Sequence, residues 1–402
     1  MPSKHDLMIT SAPTSCDIFC KVIDNFGDIG VCWRLARQLS NEHDLVVRLW
    51  VDDLESFAML CPEADVAAEQ QKCKSVEVRH WHEEFPDVQP AELVIEAFTC
   101  KLPQNYLEAM AAKVQPPFWI NLEYLSAEEW VESHHKLPSP QPKLPLTRYF
   151  FFPGFTGRTG GLLLERDLLA RRDEFQRDIE KQLAFWSSIG MEMPSEFMLK
   201  VSLFAYENAA LEGLFDAWSS GSQPVYCLVP EGRIMLQAGR YFGAVEPHTG
   251  SAYTRGNLHV RITPFVEQDR YDELLWACDI NFVRGEDSLV RAQWAAKPFV
   301  WHIYPQHDAV HLKKLQAFMA RYCEGLPADA EHALRGMWGA WNGATGDLPA
   351  IWNDFHAHQS MLRQHSDYWA RQMAVNNLAL NLLDFCGEIG RMRALKIEGQ
   401  QT

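Results

Sequence analysis

The chain has 402 residues, 47% hydrophobic and 22% charged, with a formal net charge of -16 at pH 7. That length fits two globular domains, and the composition is that of a chain folded throughout. The acidic balance excludes general binding to DNA or RNA, which needs a basic stripe to displace counterions from phosphates, but it leaves room for a small anion held locally. Ten cysteines, at 16, 20, 32, 61, 73, 100, 227, 278, 323 and 386, sit mostly in apolar runs without a CxxC pair. Neither a zinc knuckle nor a disulfide framework is indicated. Cys16 and Cys20 fall four apart on a predicted strand, about 13 Å at its rise per residue, too far to bridge. The polar start MPSKHDLMITSAPTS has no signal-peptide core, and no run of 18 apolar residues exists. The expectation is a soluble, cytoplasmic protein that engages no membrane.

In chain order, the first element is a strand over Ile18 to Val22, which runs into the loop Asp24-Asn25-Phe26-Gly27-Asp28-Ile29-Gly30 and then a helix. Strand, glycine turn and helix often mark a phosphate site. Here Asp24 and Asp28 would place two negative charges where a diphosphate sits, so the loop suits a cation and a base better. A helix cap plus a solvated turn Asp is the other reading.

Further strands are expected over Leu45 to Val51, Val76 to Trp81, Leu93 to Ala97 and Phe118 to Leu122, alternating with helices as in a parallel sheet covered on both faces. The Pro-rich stretch LPSPQPKLPL, 137 to 146, followed by Tyr149-Phe150-Phe151-Phe152-Pro153-Gly154-Phe155, reads as a structured loop at the domain junction. Glu165 to Ile189 reads as one long charged helix. A second α/β series follows, with strands over Phe197 to Phe204, Val225 to Val229, Leu258 to Ile262, Ile280 to Val283 and Pro298 to Ile303. Met361 to Leu395 has helical periodicity. The expected organisation is two Rossmann-like domains, 1–185 and 186–360, with helices from about 361–402 packing back on the first. Open sheets of this kind bind ligands at the carboxyl ends of their strands, so the expected site is a cleft between facing domains.

The segment CDINFVRGEDSLVRAQWA, 278 to 295, repeats the strand, glycine turn and helix. This one suits a diphosphate: amides of Glu286, Asp287 and Ser288 would face phosphate oxygens and Arg284 would add a charge-assisted contact. The competing reading is a capping motif with Asp287 or Ser288 as N-cap. Two other signals are set aside. Asp52-Asp53 has the wrong spacing for a metal-binding DxD and reads as surface or capping carboxylates. His307 and His311 share a helix face without a third ligand nearby, so zinc is not assigned there.

Taken together, IDNFGDIGVCWRLARQL, NLEYLSAEEW, ITPFVEQDRYDELL, RGEDSLVRAQWAAKPFVWHIYPQ and YFFFPGF resemble the protein-arginine rhamnosyltransferases of the EarP family over nearly the whole chain. The resemblance implies an α/β, GT-B-like glycosyltransferase fold with two Rossmann-like domains facing across a cleft. It implies transfer of rhamnose from dTDP-β-L-rhamnose, with inversion, to an arginine of bacterial translation elongation factor P. The family's catalytic aspartate falls on Asp28, its companion carboxylate on Asp24, and Glu286 is implied as a further catalytic group. Which loop Asp takes the proton is open, with Asp28 preferred for its place near the helix start. Donor binding is implied for Phe204, Tyr206, Phe265, Gln268, Tyr271, Arg284, Glu286, Asp287 and Ser288, with Phe265 and Gln268 reading thymine. Asn25, Glu123, Tyr124 and Tyr304 are candidates for holding the acceptor, packing or capping being their alternative. No cofactor or metal is expected, because Arg284 can neutralise phosphate. The alternatives are another nucleotide-sugar enzyme on the same fold, a small-molecule glycosyltransferase or an epimerase, and a non-catalytic module that only recognises the translation factor.

Overall fold

The computed structural model describes residues 12–23, 26–305 and 310–399. The chain divides into two compact units, Met1–Glu165 with Met373–Thr402, and Arg166–Gln372. In the first, β1 (Ser15–Cys20), α1 (Gly27–His43), β2 (Val46–Val51), α2 (Leu54–Leu60), β3 (Gln70–Cys73), β4 (Val76–His80), β5 (Leu93–Ala97), α3 (Gln104–Ala112), β6 (Phe118–Leu122), α4 (Trp130–His134), β7 (Pro138–Pro140) and β8 (Thr147–Phe151) follow one another. They form an eight-stranded sheet in the order β3-β4-β2-β1-β5-β6-β8-β7. It is parallel except at its ends, where β3 and β7 run antiparallel to β4 and β8. Strand order reverses at β1, with β2 on one side and β5 on the other. A crevice therefore opens beyond the carboxyl ends of β1 and β5.

In the second unit come α5 (Leu168–Arg177), α6 (Ile179–Ser188), β9 (Leu199–Leu203), α7 (Leu211–Ser220), β10 (Val225–Pro230), α8 (Arg233–Tyr241), β11 (Ala252–Arg255), β12 (Leu258–Thr263), α9 (Gln268–Ala277), β13 (Ile280–Arg284), α10 (Asp287–Trp294), β14 (Phe299–His302), α11 (Val310–Tyr322), α12 (Ala328–Trp341), α13 (Leu348–Ala357) and α14 (Gln359–Met373). The six-stranded sheet runs β11-β12-β10-β9-β13-β14, and only β11 is antiparallel to its neighbour. Here the order reverses at β9, between β10 and β13. These are two Rossmann-like units, the α/β, GT-B-like class that the sequence implied.

The last helix, α15 (Leu378–Gly399), belongs to the first unit. The segment before it docks on the stretch after β8: Leu162 N–H donates to the Asn376 carbonyl at 3.0 Å and Leu378 N–H to the Leu162 carbonyl at 2.9 Å. Gly161 permits that approach, since it has φ +83° and a Cβ there would lie 2.2 Å from the Asn376 carbonyl oxygen. The aromatic strand supplies the apolar half of the contact, with Tyr149 edge-on to Phe385 at 5.5 Å.

Two expectations are corrected. Glu165 to Ile189 is two helices, because the Asp178 carboxylate accepts from the amides of Glu180 and Lys181 and starts a new helix there. The Pro-rich stretch is not a loop at a junction: Pro138–Pro140 pairs with Thr147–Phe151 at the sheet edge, where proline's missing N–H costs no ladder bond. The helical reading of Met361 to Leu395 is realised as two helices, α14 and α15, between which Asn377 forms a bridge with Leu162.

The first sheet is organised around Asp17, fully buried in β1. Its carboxylate accepts from Arg48 Nε and Nη2, both at 2.6 Å, from the Ala91 amide at 2.9 Å, from Trp50 Nε1 at 3.3 Å and from the Tyr106 hydroxyl. A buried charge is tolerable only when so satisfied, and removing one partner strands the other. Asp17→Ala should therefore destabilise the first unit by about 3 to 5 kcal/mol, read as a lower denaturant midpoint for its unfolding. A midpoint within error of wild type would show that the network contributes nothing net.

Candidate active site

In the first unit the β1–α1 loop ends at the switch point. Asp28 is the second residue of α1, and its side chain is buried. It is not the cap: that position is Phe26, which makes no side-chain capping bond. Instead one carboxylate oxygen accepts the Ile23 amide at 2.9 Å, which ties Ile23 to the helix start. The helix N-terminus favours negative charge at this place. The thiols of Cys20 and Cys32 lie in the field of Asp28 and are both held neutral. Their mutual hydrogen bond is the largest cause for Cys20, and burial for Cys32. The Asp28 carboxylate is thus the group at this loop equipped to draw a cation or accept a proton. Asp24 and Asn25, also assigned to this loop, lie outside the described residues.

Asp52 and Asp53 act as local braces: Asp52 accepts the Val22 amide at 2.9 Å, and Asp53 caps α2 through Ser56. Glu123 and Tyr124 follow β6 on the same rim. Asn121 donates to the Glu123 carboxylate, and Tyr124 stacks on Phe98 at 4.6 Å. Phe98 and Thr99, beyond β5, both adopt left-handed backbone at φ 54° and 60°. Such conformations disfavour side-chain-bearing residues and occur where surrounding structure holds them.

In the second unit the carboxyl ends of β9 and β13 meet at the other switch point. They bring together Phe204, Tyr206 and Arg284, whose guanidinium stacks between the two rings at 4.6 Å from each. Gly285, at φ 67°, turns the chain into α10, and Trp301 Nε1 donates to its carbonyl at 2.9 Å. The cap of α10 is Glu286, without a side-chain capping bond. The capping alternative for Asp287 or Ser288 is not realised, and the first amides of α10 keep the polarity that suits an anion.

Gln268 and Tyr271 on α9 are brought to the same place. Gln268 Nε2 makes a long contact of 3.5 Å with the Asp287 carboxylate, and Tyr271 lies edge-on to Phe204 at 5.7 Å. Burial pushes the Tyr271 phenol well up, against the opposing effect of Ser288 beside it. Phe265 lies partly buried just before α9, and Tyr304 is exposed beyond β14, edge-on to Tyr206 at 5.5 Å. What locks α9 to α10 is a buried, two-pronged ion pair, Arg291 Nε and Nη2 on the two Asp272 oxygens at 2.7 Å each. His307 lies outside the described residues, and no metal-ligand cluster joins His311 to this site among the described residues.

The sequence model of a family described as "Elongation-Factor P (EF-P) rhamnosyltransferase EarP" matches residues 16–387. A protein-arginine rhamnosyltransferase of Pseudomonas putida is 53% identical over 370 residues, 92% of this chain and 97% of that one. Its counterpart in Pseudomonas aeruginosa is 48% identical over 372 residues, 92% and 98% of the two chains. A solved structure described as the basis for EarP-mediated arginine glycosylation of translation elongation factor EF-P is 39% identical, with a TM-score of 0.66, and covers 92% of this chain and 98% of its own. The chain belongs to the EarP family. It is accordingly a glycosyltransferase, of the protein-arginine rhamnosyltransferase kind.

One residue of this EarP-family site escaped the sequence. His302 pairs in register with Arg284 across β13 and β14, packs edge-on to Tyr206 at 5.2 Å, and has no hydrogen-bond partner for Nδ1 among the described residues. Burial first, then the positive Arg284 and His311, push its pKa down to about 4. Unfolded, the same imidazole titrates near 6.5. As pH falls the unfolded chain binds the proton first, so this contribution to stability is complete above about pH 6.5 and is lost toward pH 4. In His302→Gln the acid slope of second-unit stability over that window should flatten by up to about 1.4 kcal/mol per pH unit. Denaturant midpoints across pH 4.5 to 7 measure it, and identical slopes would overturn the assignment.

Proposed function

We propose that this chain transfers rhamnose from dTDP-β-L-rhamnose, with inversion, to an arginine side chain of translation elongation factor P. The observation that carries the reading is the opposite chemistry of the two switch points. One holds a buried carboxylate, Asp28, at a helix start. The other holds Arg284, clasped by two aromatic rings, beside the glycine turn that leads into a helix start. A carboxylate suits a guanidinium, and a cation beside a helix N-terminus suits a diphosphate. Family membership and the 39% identical structure support the same pairing of substrates.

A guanidinium is protonated at physiological pH and is a poor nucleophile. Asp28, with Asp24 as its companion, draws that charge, orients one nitrogen and accepts its proton as the nitrogen bonds to the anomeric carbon. The bond from that carbon to the diphosphate breaks, and dTDP leaves with the electron pair. Attack opposite the leaving group converts the β donor into an α-linked product. Arg284 and the amides at Asp287 and Ser288 stabilise the charge growing on the leaving group. Phe265 stacks on thymine, Gln268 reads its edge, and Phe204, Tyr206 and Tyr271 shape the donor slot. Glu286 and Asp287 take ribose or sugar hydroxyls, with Glu286 assisting the transfer. Asn25, Glu123, Tyr124 and Tyr304 hold the acceptor. Arg284 supplies the positive charge that other enzymes of this chemistry draw from a metal, so the reaction needs none. An acceptor that works in translation places the enzyme in the cytoplasm, and no helix among the described residues is long and apolar enough to cross a membrane.

The test is the intact mass of elongation factor P after incubation with enzyme and dTDP-β-L-rhamnose. The expected result is one added deoxyhexose, formed equally in EDTA. Asp28→Asn should lower the rate by about 100- to 10,000-fold, the weight of a lost general base, with dTDP affinity unchanged. Near-normal turnover in that variant removes Asp28 from the chemistry, and a strict requirement for added Mg²⁺ overturns the metal-free reading.

A further inference from the structure

We propose that Glu69, His80 and His82 form a binding site for a zinc-type divalent cation at the edge of the first sheet, separate from the loops that carry the transfer. The sequence element is His80-Trp81-His82, an H-x-H at the end of β4. In extended chain successive side chains alternate faces, so two histidines flanking one residue share a side. The intervening Trp81 confirms the alternation: it turns inward, 7% exposed, into the cluster around Phe19, with which it makes an edge-on contact at 5.3 Å. Its amide donates to the Val51 carbonyl at 2.8 Å, which extends the β4–β2 pairing past His80 and holds the motif straight.

The third ligand comes from the neighbouring strand. β3 runs antiparallel to β4 with Gln70 opposite Arg79, and the His80 amide donates to the Glu69 carbonyl at 3.0 Å. That register brings the Glu69 carboxylate over the two rings. One ligand atom from each of the three residues lies within 4.8 Å of the others. The His82 Nε2 is 2.7 Å from the Glu69 carboxylate, and the two imidazole centroids are 3.8 Å apart. Two imidazoles so close repel once protonated, whereas a cation between them and a carboxylate satisfies all three.

Two nitrogens and one carboxylate are the donor set of zinc and its transition-metal neighbours. Mg²⁺ and Ca²⁺ prefer oxygen alone. Three protein ligands leave a fourth position for water or for a side chain of a bound protein. Glu69 and His82 are exposed, so a cation can enter without opening the fold. Once bound it would tie the open end of the β3–β4 hairpin. All ten cysteines are buried, and thiols do not compete for the metal at the surface of the folded chain.

Calorimetric titration of the EDTA-treated full-length protein with ZnCl₂ tests the proposal. One zinc per chain is expected, with no heat from MgCl₂. The zinc absorption spectrum should show only nitrogen and oxygen neighbours at about 2.0 to 2.2 Å. His80→Ala and His82→Ala should each weaken binding at least tenfold, since even outer-sphere partners of a metal are worth about 10- to 100-fold. Glu69→Gln, which keeps the shape and removes the charge, should weaken it as well. Rhamnosyl transfer by these variants should match wild type in EDTA, which separates the site from the reaction. Unchanged affinity in both histidine variants, sulfur in the zinc shell, or no saturable binding at 100 µM ZnCl₂ would each overturn the assignment.

Discussion

The constraint on which the molecule depends is topological. A parallel sheet needs a crossover for every strand, and crossovers of one hand place helices on one face as the chain moves one way and on the other when it reverses. At the reversal two adjacent strands send their connections to opposite faces, and nothing fills the gap beyond their carboxyl ends. In the first unit that gap lies between β1 and β5, in the second between β9 and β13. The Asp28 loop and the Arg284 turn emerge from those gaps. A strand one place over would have delivered the same residues against a helix, where no ligand could reach them.

Each unit also holds a buried and fully partnered charge away from the gap, one in the sheet and one between helices. Asp17, three residues before the end of its strand, collects Arg48, Tyr106, Trp50 and a backbone amide. Asp272 and Arg291 clamp α9 to α10 in the second unit. Replacing such pairs with packed apolar groups is often neutral for stability, so their value here is best sought in position. The Arg291 clamp fixes the helix that carries Gln268 and Tyr271 against the turn that carries Arg284 and Ser288. Apolar packing alone would tolerate a slide that the hydrogen-bond geometry of a two-pronged pair does not.

Most inner strands were legible, either as near-continuous apolar runs such as VYCLVP in β10 or as apolar–polar alternation such as LKVSL in β9. β3, β7, β8 and β11 were not: QQKC, PSP and AYTR carry no such pattern and exist through antiparallel pairing with a longer neighbour, and TRYFF was read as part of the loop that follows the Pro-rich stretch. The break at Asp178 was readable in principle, as an Asp two residues before a Glu within a helical pattern, a common start signal. At the site, loop residues such as Asp28, Arg284 and Ser288 were legible because they sit in one short segment each. His302 was not, since its relation to Arg284 depends on the register of two strands separated by α10. Glu69 was hidden for the same reason, its partners being brought to it by strand pairing.

The division of charge between the units also bears on why an arginine of a protein, and not a sugar hydroxyl, suits the acidic loop. A hydroxyl acceptor needs a base but gains little from a concentrated negative field, and a carboxylate buried for it would be desolvated without recompense. In the proposed reaction a guanidinium brings its own positive charge to Asp28, so the acceptor itself adds to the electrostatics of the loop. The same logic limits what the loop can select. Every arginine carries an identical fork of donors, and one buried carboxylate cannot tell them apart. On the proposed reading discrimination falls to surface around the loop, and Glu123, Tyr124 and the left-handed Phe98–Thr99 turn lie on the same carboxyl rim of the sheet. A rim held rigid by buried pairs can read the shape of a folded acceptor at little further loss of entropy, leaving more of the binding energy to orient the guanidinium for attack.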